Sequence, residues 1–141
     1  MANLIPAIDI SSSALQAERT RMEVVAANLG NAQVTRGADG KPIHRKEVIF
    51  ETVNDPSQTG EGQQIGGVRV SKIIDDPRPG QKVYMPGHPH ADAKGFVTLP
   101  NINVIEETVD GMTASRSFEA NLQVIHSARD MVTRSMAIAQ A

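Results

Sequence analysis

The last third of the chain, Val104 to Ala141, constrains everything else in it. Val104, Gly111, Phe118, Ile125, Val132 and Ala139 recur every seven residues, and Thr108, Ser115, Leu122, Arg129 and Met136 fill the offset of four between them. That spacing is a helical stripe and not a strand pattern. No proline interrupts it, and Asn103 followed three residues on by Glu106 reads as a cap with its reciprocal carboxylate. At 1.5 Å per residue the segment makes a rod of roughly 57 Å. A rod of that length exceeds what a small single core needs, so its surplus apolar face must be covered by the rest of the chain or by other chains.

The first segment, Pro6 to about Asn28, is its counterpart. Ile8, Leu15, Met22 and Leu29 fall every seven residues, while Arg19, Arg21 and Glu23 lie off that line, which predicts a second amphipathic helix. Pro6 is tolerated in a first turn, and Gly30 is placed to take a left-handed conformation just past the last one. Between the helices, from Asn31 to Pro100, glycine and proline recur too often for a helix of useful length. Four short extended runs fit instead: Val48–Val53, Gly67–Ile74, Lys82–Met85 and Phe96–Leu99. Asp39-Gly40 reads as a turn, and the polar run Asn54–Gln64 as a loop.

The expected fold class is therefore α+β. Two terminal amphipathic helices form an antiparallel coiled coil, and a Gly/Pro-rich central region of short strands and loops projects from it. The division is 1–30 for the first helix, 31–103 for the central region and 104–141 for the long helix.

Composition bears on partners. Aromatic residues are 3% of the 141, Trp is absent, and large apolar side chains are spread thinly among Ala, Ser, Gly and Asn. Such a chain makes a modest core alone and draws part of its stability from partners. With 14 Lys+Arg against 16 Asp+Glu and no basic cluster, nucleic acid is not the expected partner. Zero cysteines exclude disulfides and thiolate metal sites. The N-terminal residues carry neither a basic n-region nor a long apolar stretch, so neither a cleaved signal peptide nor a membrane span is expected.

One cluster invites a catalytic reading: His88, His90 and Asp92, which project to one side of an extended segment as metal ligands would. The competing reading is a proline-fixed surface turn, and no other His, Asp or Glu set converges on it. His44 and His126 are isolated, and no nucleophile motif is present. No cofactor is expected.

The other polar residues of interest sit on the helices. Asn28 and Asn31 close the first helix, where they can bond its orphan carbonyls without any partner. Ala114, Ser115, Ser117 and Ala120 are small enough to admit a close helix, with Arg116, Glu119 and Asn121 setting its register. Gly111 points to close packing or a bend, because a mid-helix glycine costs about 1 kcal/mol relative to alanine. The packing residues singled out are Ile8, Leu15, Met22, Asn28, Leu29, Asn31, Val104, Gly111, Ser115, Arg116, Phe118, Asn121, Leu122, Ile125 and Val132.

Four blocks carry a resemblance. They are Ala14-Leu15 through Ala27-Asn28-Leu29-Gly30-Asn31-Ala32; Lys46–Phe50 with Gly67–Val70; Val83 to Asn101, including Pro86-Gly87-His88-Pro89-His90; and Ala114-Ser115-Arg116-Ser117-Phe118-Glu119-Ala120-Asn121. In order and spacing the chain resembles the bacterial flagellar axial proteins, most closely the proximal rod type of the basal body. The resemblance implies a non-enzymatic subunit, exported unfolded by the flagellar type III apparatus and polymerised helically with copies of itself and other rod proteins inside the basal-body rings. It implies a rod that crosses the periplasm and transmits torque to the hook, and it makes the Pro-Gly-His-Pro segment structural. The alternatives are a small metal-dependent enzyme using His88, His90 and Asp92, or a distal rod or hook relative.

Overall fold

The computed structural model describes residues 4–38, 40–54 and 65–139. Along the chain run helix α1 (Leu4–Asn31), strands β1 (Lys46–Asn54), β2 (Ile65–Asp75), β3 (Lys82–Tyr84) and β4 (Phe96–Thr98), and helix α2 (Val104–Ala139). This is an α+β fold in which helices flank a central region with two separate two-stranded sheets.

α2 has 36 residues, a length of about 54 Å. Its cap is Asn103, whose Oδ1 accepts the Ile105 N–H at 3.0 Å. Glu106 stays exposed while Glu107 turns inward. Pro6 lies in the first turn of α1, where its missing N–H costs nothing. Gly30, expected to end that helix in a left-handed conformation, lies inside it. Among the described residues only Gly40, Gly67 and Gly95 have positive φ. The chain leaves α1 instead through tight turns, with Ala32 N–H donating to the Leu29 carbonyl at 3.3 Å and Val34 N–H to that of Asn31 at 3.0 Å. Gly40 closes a turn onto Gly37; Asp39 and residues 55–64 of the polar run lie outside the described residues.

The helices pack against each other and α1 also packs against the β1–β2 hairpin. Asn28 meets Glu107, and one turn back Val25 meets Gly111, so the two helices run antiparallel where they touch. A Cβ on Gly111 would lie 3.3 Å from Val25 Cγ1, so the glycine marks close approach and not a bend. The buried apolar residues among those described are Ala17, Val24, Val25, Val97, Ala114 and Ala128. Small side chains dominate this list, which lets the backbones come close but removes little apolar area from water.

β1 and β2 pair antiparallel from Lys46↔Asp75 to Asn54↔Ile65, with register shifts that leave Ser71 and Gly66 unmatched. At the Ser71 bulge, hydrogen bonds from Ser71 and then Arg69 hold the Glu51 carboxyl below the usual carboxylate range. β2 is drawn onto α1 at one spot. Val68 N–H donates to Ser13 Oγ at 3.0 Å, and that hydroxyl donates to the Ile10 carbonyl at 2.7 Å. Gly67 (φ +150°) makes the approach possible, since a Cβ there would lie 2.5 Å from Ser13 Oγ. We expect Gly67→Ala to lower stability by about 1–3 kcal/mol through strain and overlap, read as a lower denaturation midpoint. A midpoint equal to that of the parent chain would show that α1 and β2 have room to separate.

Candidate functional site

Where α1 ends, β1 begins and α2 starts, three polar side chains meet out of solvent. Glu107 is 0% exposed and Asn28 3%. Asn28 is satisfied on all sides: Oδ1 accepts the Lys46 N–H at 2.9 Å, and Nδ2 donates to the Lys46 carbonyl at 2.8 Å and to Glu107 Oε2 at 2.9 Å. It therefore acts as one rung of a strand ladder for β1 while also reaching the second helix. Asn28 thus joins β1 and α2 and does not bond the carbonyls of its own helix end.

The other Glu107 oxygen, Oε1, accepts Arg45 Nε at 2.5 Å. Arg45 Nη2 donates to Asp110 Oδ2 at 3.0 Å, and Arg21 Nη2 lies 3.5 Å from Asp110 Oδ1. Burial opposes the charge on Arg45, but the hydrogen bond and charge of Glu107, with Glu47 and Asp110 adding, hold its pKa above the ordinary value. A buried carboxylate is tolerable only when paired and hydrogen-bonded in this way. Beside the node a cleft of about 250 Å³ is edged by Arg21, Asn28, Arg45, Lys46, Glu107 and Asp110. That is below the ~300–1,000 Å³ of small-molecule pockets, and its polar groups are bonded to one another.

A second junction continues from the first. Arg45 N–H donates to Asn101 Oδ1 at 2.8 Å, and Asp76 N–H to the Arg45 carbonyl at 2.7 Å. The buried Asp76 carboxylate takes both the side chain and the N–H of Arg78, which hold its pKa at about 2. The central region is thus locked to the base of the helix pair by polar contacts.

The packing residues named from the sequence are distributed as follows. Ile8, Leu15, Met22, Leu29 and Asn31 are half-buried on α1, and Gly111, Ser115, Phe118, Asn121, Ile125 and Val132 are half-buried on α2. Val104, Arg116 and Leu122 are exposed. The most buried line of α2 is Glu107, Ala114 and Ala128, with half-buried Asn121 at the same seven-residue step. Asn121 Nδ2 bonds back to the Ser117 carbonyl at 2.8 Å. Sequence reasoning missed Glu107 as a partner of Asn28. The available signal was an acid in heptad register with Ala114 and Ala128. Arg45 carried no such signal, because it arrives from a separate part of the chain.

Among the described residues no group of three or more His, Cys, Asp or Glu is placed to hold a metal, and no helix is long and apolar enough to cross a membrane. Asp92 Oδ1 accepts the N–H groups of Lys94 (2.8 Å) and Phe96 (2.9 Å), and those bonds, Phe96 first, lower its pKa. It thus acts as a turn-former.

A helical pair whose polar node holds a strand-rich insert is the frame of the molecule. The two ends match separate family models: residues 8–38 that of the flagella basal body rod proteins, and residues 93–138 that of the flagellar basal body rod FlgEFG protein C-terminal region. Over nearly the whole chain it is similar to flagellar basal-body rod proteins FlgC. It is 41% identical to that of Yersinia enterocolitica, covering 98% of this chain and 99% of the relative. The Salmonella typhimurium LT2 and Borreliella burgdorferi proteins are each 40% identical, covering 97% of this chain and 98% of theirs. The chain belongs to the FlgC family of flagellar basal-body rod proteins.

Replacing Arg45 alone, as in Arg45→Met, leaves the Glu107 carboxylate buried without its cation and should cost about 3–5 kcal/mol, whereas the double variant R45M/E107L should recover much of that loss. Urea denaturation measures both, and strictly additive losses would show that the pair is not coupled. Asp76 has a folded pKa depressed to about 2 from an ordinary 3.8, so its contribution is present above about pH 4 and lost as pH falls through about 2. Asp76→Asn should flatten the stability profile in that window and leave its shape at neutral pH unchanged.

Proposed function

We propose that this chain is a structural subunit of the proximal rod, polymerising helically with copies of itself and other rod proteins into the shaft that carries motor torque to the hook. The observation that carries this reading is the outward face of α2. Ile105 (75% exposed), Val109 and Met112 stand uncovered on the side of its first turns turned away from Glu107 and Ala114, and Val124, Met131 and Ile138 (78%) stand uncovered further along, on the flank beside Ala128. A helix that keeps large apolar side chains exposed after pairing with α1 is built to be covered twice, once by α1 and once by neighbours. Heterologous contacts of that kind generate helical assemblies.

The same reading makes the helix pair, 1–30 with 104–141, an antiparallel coiled coil in the inner layer and 31–103 an outer layer. The exposed Val104, Arg116 and Leu122 become contacts between subunits. The seven-residue line Gly111, Phe118, Ile125 and Val132 supports a supercoiled pairing. Family resemblance supports export by the flagellar type III apparatus, a place within the basal-body rings and a non-enzymatic role.

Two substitutions test it. Ile105→Asp with Val109→Asp changes exposed positions only, so the purified chain should keep its denaturation midpoint while incorporation into isolated basal bodies falls sharply. Phe118→Ala should lower both, because Phe118 is half-buried in the subunit; a core truncation of this size costs about 3–5 kcal/mol when fully buried and less here. Normal incorporation and motility with the double aspartate chain would remove the outward face from the assembly.

A further inference from the structure

Among the described elements, the β3–β4 hairpin packs on no other strand or helix. Its long connecting loop meets the connector after α1 at Thr35 Oγ1 and His90 Nδ1, 2.7 Å apart, beside a cavity that Arg36, Pro42 and the buried Val97 also line. His90 is itself held by its neighbour, since its backbone N–H donates to His88 Nδ1 at 3.1 Å. The two rings lie edge to face with centroids 5.3 Å apart. His88 is anchored in turn through its own N–H to the Met85 carbonyl (3.0 Å) and its carbonyl to the Ala91 N–H (3.0 Å).

The chemistry of these bonds is asymmetric. A backbone N–H can only donate, so the bond from His90 N–H requires an unprotonated Nδ1 on His88. Protonation there sets two donors against each other and breaks the bond. The Thr35–His90 bond survives a proton on His90, because a hydroxyl both donates and accepts. His88 is therefore the group whose charge decides the geometry, and His90 passes the change to the connector. Two charged rings at this spacing would also repel. The other charges around the contact edge a cavity of about 180 Å³ between connector and hairpin: Arg36, Lys82 and Asp92. Asp92 is held ionised by its backbone bonds, so it stays anionic across the histidine range, and with two cations opposite it the site offers no excess negative charge to an imidazolium.

We propose that His88, His90 and Thr35 form an acid-released latch, closed while His88 is neutral and opening the β3–β4 loop from the connector when His88 takes a proton. The Asn28–Glu107–Arg45 node contains no histidine, so the helix pair stays intact when the latch opens.

The test is NMR on the purified full-length chain between about pH 8 and about pH 5, the span in which histidines charge. Acidification should lower the intrinsic-rate-corrected exchange protection of the His90 amide about tenfold, the equilibrium equivalent of one hydrogen bond. The nuclear Overhauser contact between the His90 ring and the Thr35 methyl should vanish in the same step as the His88 ring titrates. His88→Asn supplies an uncharged oxygen where Nδ1 stood and should keep both signals at about pH 5. An unchanged His90 amide and Thr35 contact while both rings titrate would overturn the latch, as would their loss in the His88→Asn chain on the same acid step.

Discussion

The fold depends on burying the Glu107 carboxylate. An unpaired carboxylate there would cost several kcal/mol in desolvation, so the structure is obliged to bring Arg45 from the central region and Asn28 from α1 to meet it. That obligation sets the stagger of the helices. Sliding α1 along α2 by a turn would leave Asn28, Glu107 and the Lys46 backbone groups unsatisfied together, whereas alanines at Ala17, Ala114 and Ala128 would resist such a slide only weakly. In a chain with so little large apolar volume, register comes from polar pairing and closeness from small side chains.

That division of labour explains why the helix pair suits a family of rod subunits. A pair packed on alanines and a glycine leaves its larger apolar side chains free to face outward, where Ile105, Val109, Met131 and Ile138 stand. In the proposed assembly the burial missing from the monomer is supplied between subunits, with the polar node holding the shape of each one. The hairpin contributes rigidity of the same kind: Gly67 lets β2 touch Ser13, and the Ser71 bulge brings Ser71 and Arg69 onto Glu51.

Much of the architecture was legible in the chain. The seven-residue apolar steps located both helices, Asn103 marked the start of α2, and the extended runs fell within a residue or two of β1 to β4. The gaps have physical causes. Gly30 resembles a helix stop, but stopping there is unnecessary when Ala32 and Val34 close the end through backbone turns. Which flanking line of α2 turns inward was hidden because that line carries Glu107 and Asn121, polar residues that a hydrophobic pattern discounts. The strand pairing and its two bulges depend on partners distant in the chain, such as the Glu51 carboxylate that Ser71 bonds, which no local propensity encodes.

By itself, then, the sequence determined the element types, their order and the excess of apolar helix surface, because periodicity, capping and the Gly/Pro punctuation act over a few residues. The tertiary structure decided which face of α2 meets α1, that Asn28 serves β1 and Glu107 rather than its own helix end, and that Arg45 completes the node. Those outcomes follow from satisfying a buried charge with groups far apart in the chain, and only the folded arrangement brings such groups within hydrogen-bonding distance.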